Sequence, residues 1–317
     1  MKKVDSPILA INTHAALDRI FFIDRFIPET HMRTSKVVEA IGGKGLDVAA
    51  VLKSLEAPVQ AISFIAGKNG EILADLLHQK QIPTDLLWLP GETRLANVII
   101  ETELHRHSHI STTGYRVERG DCDRFLARLA ELAAEAAWAV ISGSLPPGAP
   151  VGFYGEIIHL LHKHPIQVLI DTVGPALHEA LTESPEIVKM NRLECCETFG
   201  LSAATLLDWI EPVVGIMNRY AIRSFILTGG SEGFLAFTPE GIYHAASPKL
   251  QAVNAAGAGD AVSAAIVHRL QIGDSWEDAL KWAAAASAAV VLTEATAECS
   301  LEGILEMLPS VQVERLE

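Results

Sequence analysis

The sequence predicts an α/β protein: a mainly parallel β-sheet covered on both faces by helices, three layers in all, with a small second sheet beside it. Three observations carry this. Short runs rich in β-branched residues alternate with stretches of helical periodicity, the pattern of a parallel sheet joined by crossover helices. Two stretches break the alternation and read as consecutive strands. The composition, 49% hydrophobic and 20% charged over 317 residues, is that of a globular chain. It can build a core that needs no disulfide or metal staple.

The elements follow in order. MKKVDSPILAINTH has a basic start and an apolar run too short for a secretory signal. RIFFIDRF with TSKVVEAI (19–41) reads as two strands with no helix between them. In IGGKGLDVAAVLKSLEA (41–57), Val48, Val51, Leu52 and Leu55 fall at helical spacing, so a helix starts near Lys44. VQAISFIAG (59–67) is a strand leading to the helix EILADLLHQKQ. LANVIIETELHRHSHIST (95–112) is the second break. WAVISGS (138–144) precedes a helix around FYGEIIHLLHKH, and IQVLIDT (166–172) precedes PALHEALTE. IRSFILTGG (222–230) ends on a glycine pair, and Ala283 to Val290 form a helix core. No internal repeat, low-complexity segment or Pro/Gly/Ser-rich linker interrupts the chain. One α/β domain over 1–317 is expected, with about 12–38 and 91–113 forming a β-sheet lid over the site. A lid with an exposed apolar face would pair with a second copy, so a homodimer is expected.

Lys plus Arg number 25 and Asp plus Glu 39, a net charge of −14. That lacks the basic footprint of a nucleic-acid binder. An acidic chain that binds a phosphorylated metabolite must gather its Arg and Lys locally. Cys122, Cys195, Cys196 and Cys299 fit neither a zinc pattern nor a disulfide framework. They read as free thiols of a reducing cytoplasm, Cys195-Cys196 as partly buried helix residues in preference to a redox pair. AAAASAAVVL (283–292) is far below membrane-spanning length. A soluble, cytoplasmic protein with a small-molecule substrate is expected.

In parallel sheets, ligands sit beyond the carboxyl ends of the strands. GSLPPG (143–148), DT (171–172), KMN (189–191) and TGG (228–230) belong there. VNAAGAGDAVSAAI (253–266) sets three small residues before Asp260 and an alanine-rich helix. Taken alone it suits an ordinary turn with a helix cap as well as a phosphate cradle or a catalytic site. Gly42, Gly43 and Gly45 let the backbone approach a ligand at the N-terminus of another helix. That stretch is neither a Walker A loop nor a dinucleotide fingerprint.

Two such motifs near opposite ends of one α/β chain resemble the ribokinase-like sugar kinases of the phosphofructokinase B type. GGKGLDVA looks like the family's N-terminal signature and NAAGAGD like its C-terminal one. GSLPPG, LIDTVGPAL, KMNRLE and LTGGSEG fall between them in the family's order, so the resemblance spans essentially the whole chain. GSLPPG and AALD (15–18) point to the branch acting on phosphorylated ketoses of the fructose 1-phosphate, tagatose 6-phosphate or fructose 6-phosphate kind.

The resemblance implies an ATP- and Mg²⁺-dependent kinase. Asp260 would take the acceptor hydroxyl's proton, and the N–H groups around Ala256, Gly257, Ala258 and Gly259 would face the γ-phosphate. A carboxylate of pKa near ~4 is a weak base, and a helix N-terminus is expected to lower it further. Asn191 and Glu194 would organise Mg²⁺ mainly through water. Lys189, Thr228 and Gly230 would meet the nucleotide. Asp18, Gly43, Lys44, Asp47 and Ser144 would line the sugar pocket. Arg94, with Arg33 as a second candidate, would hold the substrate's phosphate.

Three departures from the family pattern lie on the sugar side. Asp47 stands where the family has Asn, and ionised Asp only accepts hydrogen bonds. His14-Ala15 replaces Asn-Pro. The lid reads SHISTTG (108–114), with His109 and Ser111 in place of an acidic residue and an Asn. His105, His107 and His109 alternate onto one strand face. That face suits a metal site, a substrate contact by His109 or a plain polar surface. Two other readings stay open, the first motivated by Asp47 and the altered lid. One is a kinase of an unphosphorylated sugar, sugar acid or nucleoside. The other is a catalytically silent nucleotide- or sugar-sensing protein, against which the intact Gly-Ala-Gly-Asp speaks.

Overall fold

The structure is a computed structural model describing residues 5–104 and 106–316. The reading of His105 lies outside the described residues. The strands are β1 (Ile8–Asn12), β2 (Ala16–Ile23), β3 (Lys36–Gly42), β4 (Val59–Ala66), β5 (Thr84–Leu89), β6 (Arg94–Glu101), β7 (Arg106–Ser111), β8 (Trp138–Ser142), β9 (Gln167–Asp171), β10 (Ile187–Asn191), β11 (Ser224–Thr228), β12 (Phe234–Thr238), β13 (Gly241–Ala246) and β14 (Gln312–Arg315). The α-helices are α1 (Lys44–Ser54), α2 (Gly67–Gln79), α3 (Arg119–Ala133), α4 (Phe153–His162), α5 (Gly174–Leu181), α6 (Arg192–Phe199), α7 (Ile210–Tyr220), α8 (Ala258–Ile272), α9 (Trp276–Val291) and α10 (Leu301–Met307).

The large sheet has the order β14-β13-β12-β11-β10-β9-β8-β1-β4-β5. From β5 to β11 the strands run parallel. β12 to β14 extend one edge antiparallel, which the strand–helix alternation did not anticipate. Every residue of β1 is buried. Along it, Ile8 and Ala10 join one core with residues of α1, α2, α8, α9 and α10, while Leu9 and Ile11 join a second core with residues of α3 to α7. That strict alternation is why PILAIN forms a central strand with a helical layer on each face. β1 is also where the strand order reverses: the chain leaves it toward β4 and β5, then returns to its other side at β8. Such a switch point opens a crevice at the carboxyl ends of the strands.

The second sheet has the order β3-β2-β6-β7. It is built from the two stretches that broke the alternation, with β3 running on to Gly42, past the expected limit. Asp18, Ile20 and Phe22 lie in register with Ala96, Val98 and Ile100, so they share one face. Ile20, Ala40, Val98, Ile100 and Ala295 form a small apolar cluster there, which seats the lid sheet against the loop after α9. No helix among the described residues is long and apolar enough to cross a membrane. The four cysteines are free thiols, with Cys195 buried on α6.

Candidate active site

Two lysines converge on one carboxylate. Asp171, the last residue of β9, is fully buried and accepts from Lys189 Nζ at 2.6 Å and Lys44 Nζ at 2.9 Å. Lys44 also donates to Glu194 Oε1 at 2.7 Å. A buried carboxylate persists only when paired. Burial alone would raise the pKa of Asp171, but Lys189 and Lys44 outweigh it and hold it below the usual range. Burial opposes the charge of Lys44, and Asp171, Glu194 and Asp260 more than restore it.

Asp260 sits in the first turn of α8, 6% exposed. Gly257 caps that helix at φ +84°, and a Cβ there would lie 2.4 Å from Ala297 N. Only glycine permits both the left-handed conformation and that approach. The N–H groups of Gly259 and Asp260 belong to the first turn, whose donors have no intrahelical acceptor. Two of the N–H groups expected to face a phosphate are occupied. Ala256 donates to Asn254 Oδ1 at 3.0 Å and Ala258 to Ala255 O at 3.3 Å. A Cβ on Gly259 would lie 2.7 Å from Lys189 Nζ, so this ammonium abuts the glycine turn. Ser142, ending β8, donates to Asp260 Oδ1 at 3.4 Å.

The expected pKa of Asp260 is corrected. Burial pushes it up to about 7; Asp171 and Glu194 add to the rise, and Lys189 and Lys44 offset part of it. Desolvation in a closed crevice exceeds the favourable helix-end potential.

Asn191 and Glu194 form a reciprocal cap at the start of α6. Glu194 N donates to Asn191 Oδ1 at 2.9 Å, and Asn191 N to Glu194 Oε2 at 2.8 Å. Both Glu194 oxygens are thus engaged. Among the described residues no group of three His, Cys, Asp or Glu side chains is placed to hold a metal. This donor set fits Mg²⁺ that keeps its water shell and meets the protein at one carboxylate and one amide. Thr228 is the register partner of Asn191 on β11. Gly230 (φ +63°) has open space where a Cβ would point.

On the other side of Asp260, Asp18 accepts from Thr296 Oγ1 at 2.6 Å, and Asp47 Oδ1 is buried without a partner. Burial raises Asp18 to about 6, against Thr296 and Arg94. Arg94, the first residue of β6, reaches His14 O with Nη2 at 3.5 Å, while its Nε is buried and unpaired. Gly43 (φ +98°) caps α1, and its carbonyl accepts from Leu46 N and Asp47 N. Ser144 Oγ lies 3.1 Å from His14 Nδ1, and His14 Nε2 lies 3.1 Å from Thr113 O. A carbonyl only accepts, so Nε2 carries the proton and Nδ1 accepts from the Ser144 hydroxyl. Burial, with Arg94 next, lowers the pKa of His14 to about 4, so this ring is neutral.

Asp260, Lys189, Asn191, Glu194, Thr228, Asp18, Gly43, Asp47, Arg94 and Ser144 thus gather at one crevice. Lys44, expected to line the sugar pocket, has its ammonium held by Asp171 and Glu194. Arg33 is not brought in; it is exposed on the β2–β3 loop. His109 is exposed, paired with Val98 and edge-on to His107 at 5.2 Å. Asn12, Ser142 and Thr296 were not expected at the crevice, whereas DT (171–172) was placed at a strand end and His14 on the sugar side without a role being given to either. Asn12 Oδ1 accepts from Gly45 N at 3.2 Å, tying β1 to the glycine loop. The signal for Asp171 and Ser142 was their place at strand ends; Thr296 carried none.

A three-layer sandwich with a sheet lid and its crevice at the strand ends is the ribokinase-like fold. The chain superposes on a ribokinase from Arabidopsis thaliana complexed with ribose and ATP with a TM-score of 0.78 at 20% identity, covering 96% of this chain and 99% of that one. With phosphofructokinase-2 from Escherichia coli in complex with substrates and products the TM-score is 0.89 at 24% identity, over 96% and 98%. The chain belongs to the pfkB family of carbohydrate kinases, whose sequence pattern matches residues 10–302. It is 28% identical to a 1-phosphofructokinase of Bacillus subtilis over 309 residues, 98% of this chain and 100% of the relative. It is 27% identical to a tagatose-6-phosphate kinase of Staphylococcus epidermidis over 308 residues, 96% and 99%.

Proposed function

We propose that the protein transfers the γ-phosphoryl group of ATP to a hydroxyl of a phosphorylated ketose of the fructose 1-phosphate, tagatose 6-phosphate or fructose 6-phosphate kind. One observation carries the reading: a buried carboxylate, Asp260, stands at a glycine turn with open N–H donors, against the ammonium of Lys189. Phosphoryl transfer needs positioning and charge stabilisation more than covalent chemistry. The first-turn donors of α8 are oriented for an anion, and Lys189 adds a fixed positive charge beside them. Asp260 accepts the acceptor hydroxyl's proton as that oxygen bonds to phosphorus. Its pKa of about 7 suits a base that works at neutral pH. Asn191 and Glu194 would hold Mg²⁺ through water, and the ion would neutralise triphosphate charge. Thr228 and Gly230 would border the nucleotide. Asp18 would bind sugar hydroxyls, and Arg94, with its free Nε, the sugar's phosphate.

A second reading, an unphosphorylated acceptor, is favoured by one feature. Three carboxyl groups, Asp18, Asp47 and Asp260, face that pocket, and among the described residues Arg94 is the cation there that is not held by a carboxylate. Coupled ADP release across sugar phosphates, free sugars, sugar acids and nucleosides separates the two. Turnover with a ketose phosphate is expected. Turnover confined to unphosphorylated acceptors would replace the first reading with the second.

The same reading includes a cytoplasmic homodimer through the lid sheet. Val37, Phe21 and Ile99 are in register across β3, β2 and β6 on the face away from Asp18, and Ile110 is exposed beside them. An apolar row of this kind, left open, suits burial against a second copy.

A further inference from the structure

We propose that Asp47 selects the acceptor substrate by donating a hydrogen bond from its own carboxyl group to a substrate oxygen, the part an amide would play at this place. The inference rests on reading the Asp18–Asp47–Arg94 pocket as the acceptor site. Asp47 lies in the first turn of α1, its backbone N–H closed on Gly43 O at 3.0 Å. The residue is 5% exposed, and its Oδ1 is buried with no hydrogen-bond partner.

Three carboxyl groups face one another here, from β2, α1 and α8. Asp18 accepts from Thr296 at 2.6 Å and Asp260 from Ser142 at 3.4 Å, whereas Oδ1 of Asp47 accepts from nothing. Like charges this close do not all ionise, and the proton settles where the charge is least compensated. That place is Asp47. Burial first, then Asp260 and Asp18, push its pKa well above the carboxylate range, against the pull of Arg94 and Lys44. Among the described residues of the elements packed on α1, no other charge competes. β1, β4 and β8, which also pack on α1, carry no charged side chain. On β3, Lys36 pairs with Glu294 and Glu39 with Arg19. Lys53 ends α1 at its far turn, and His268 and Arg269 lie near the far end of α8, where Arg269 pairs with Asp274.

A protonated carboxyl carries one O–H donor. It thus serves a hydroxyl or phosphoryl oxygen as the amide of Asn would. Unlike an amide it loses that donor as pH rises, and a negative charge appears between Asp18 and Asp260.

Two measurements test this. The first is the infrared difference spectrum between the wild type and Asp47→Asn, taken without substrate at neutral and alkaline pH. A protonated-carboxyl band is expected in the wild type at neutral pH, lost on alkalinisation and absent from the variant. The second is KM and kcat from neutral to alkaline pH on the best acceptor of the ADP-release panel. Wild-type KM should rise with pH. Asp47→Leu should raise KM at neutral pH by about tenfold, the loss of one hydrogen bond of ~1.4 kcal/mol. Asp47→Asn should recover most of that loss and show no alkaline rise. A missing band overturns the proposal whatever the acceptor. So does an Asp47→Asn variant as impaired as Asp47→Leu beside a flat wild-type KM. Turnover confined to an unphosphorylated acceptor overturns the proposed substrate and leaves the Asp47 comparison intact.

Discussion

Asp260 and Asp171 are both buried carboxyl groups at the same crevice, yet their proton affinities move in opposite directions. Asp171 is clamped by two ammonium groups and stays ionised. Asp260 has one long hydrogen bond from Ser142 and shares its lysines with Asp171, so it takes a proton near neutrality. Asp260→Asn should cut kcat by at least ~100-fold. With Asp260 as the proposed base, wild-type kcat/KM should rise with pH through about 7 as its carboxyl ionises. The same shift bears on stability. A folded-state pKa above the ordinary value of 3.8 means that the folded protein holds a proton the unfolded chain has lost, so stability falls as pH rises from near 3.8 to about 7. Asp260→Asn should therefore raise Tm at pH well above 7 and leave it nearly unchanged in acid, checked by thermal denaturation at both ends. An unchanged Tm at alkaline pH would place Asp260 in a wetter setting than the structure shows.

At the scale of elements, the site is made by strand ends and helix starts. β1, β8, β9 and β10 deliver Asn12, Ser142, Asp171 and Asn191 at their last residues, and α1, α6 and α8 begin at Lys44, Arg192 and Ala258. The α8 turn tolerates no side chain at its cap. Gly257→Ala combines a left-handed residue, about 1–2 kcal/mol, with overpacking against Ala297, about 1–3 kcal/mol more. Gly174 is also left-handed, at φ +62°, but a Cβ added there would meet nothing within 4 Å. Gly174→Ala should cost only the conformational part. Urea denaturation of the pair checks this: equal losses would mean that the turn relaxes around an added methyl group.

At the scale of the molecule, the lid sheet joins the core through Asp18–Thr296, the Lys36–Glu294 ion pair and the His14 bridge between Ser144 and Thr113. Its opposite face carries the Val37–Phe21–Ile99 row. If the proposed lid-to-lid dimer forms, Ile99→Glu should shift the protein to monomer in light scattering and lower activity, because in that dimer the pairing of the lids would hold Asp18 and Arg94 in place. A wild type that is active as a monomer would refute this. The two-sheet plan was legible because its signals are local. Strand–helix alternation and the two interruptions are written in short windows, and the α1 periodicity placed its start at Lys44. The central strand β1 was not singled out, since four apolar residues after a short N-terminal segment carry no period that distinguishes a strand. The antiparallel edge from β12 to β14 was missed because nothing after TGG marks which edge the chain extends.

The sequence by itself determined the layered α/β plan, the two glycine turns and the seat of Asp260 at a helix start. Each of these depends on neighbours a few residues away: glycine where the backbone must turn, a carboxylate at the first turn, β-branched runs before helices. Only the tertiary structure decided which charges meet. Lys44 and Asp171 are 127 residues apart in sequence, and Asp18 and Thr296 are 278 apart. Burial and pairing set proton affinity, and both belong to the assembled crevice. Hence Asp260 rises to about 7 where its helix position alone argued the reverse. Asp47, an acid in an amide's place on sequence, becomes a buried, unpaired carboxyl group between two others.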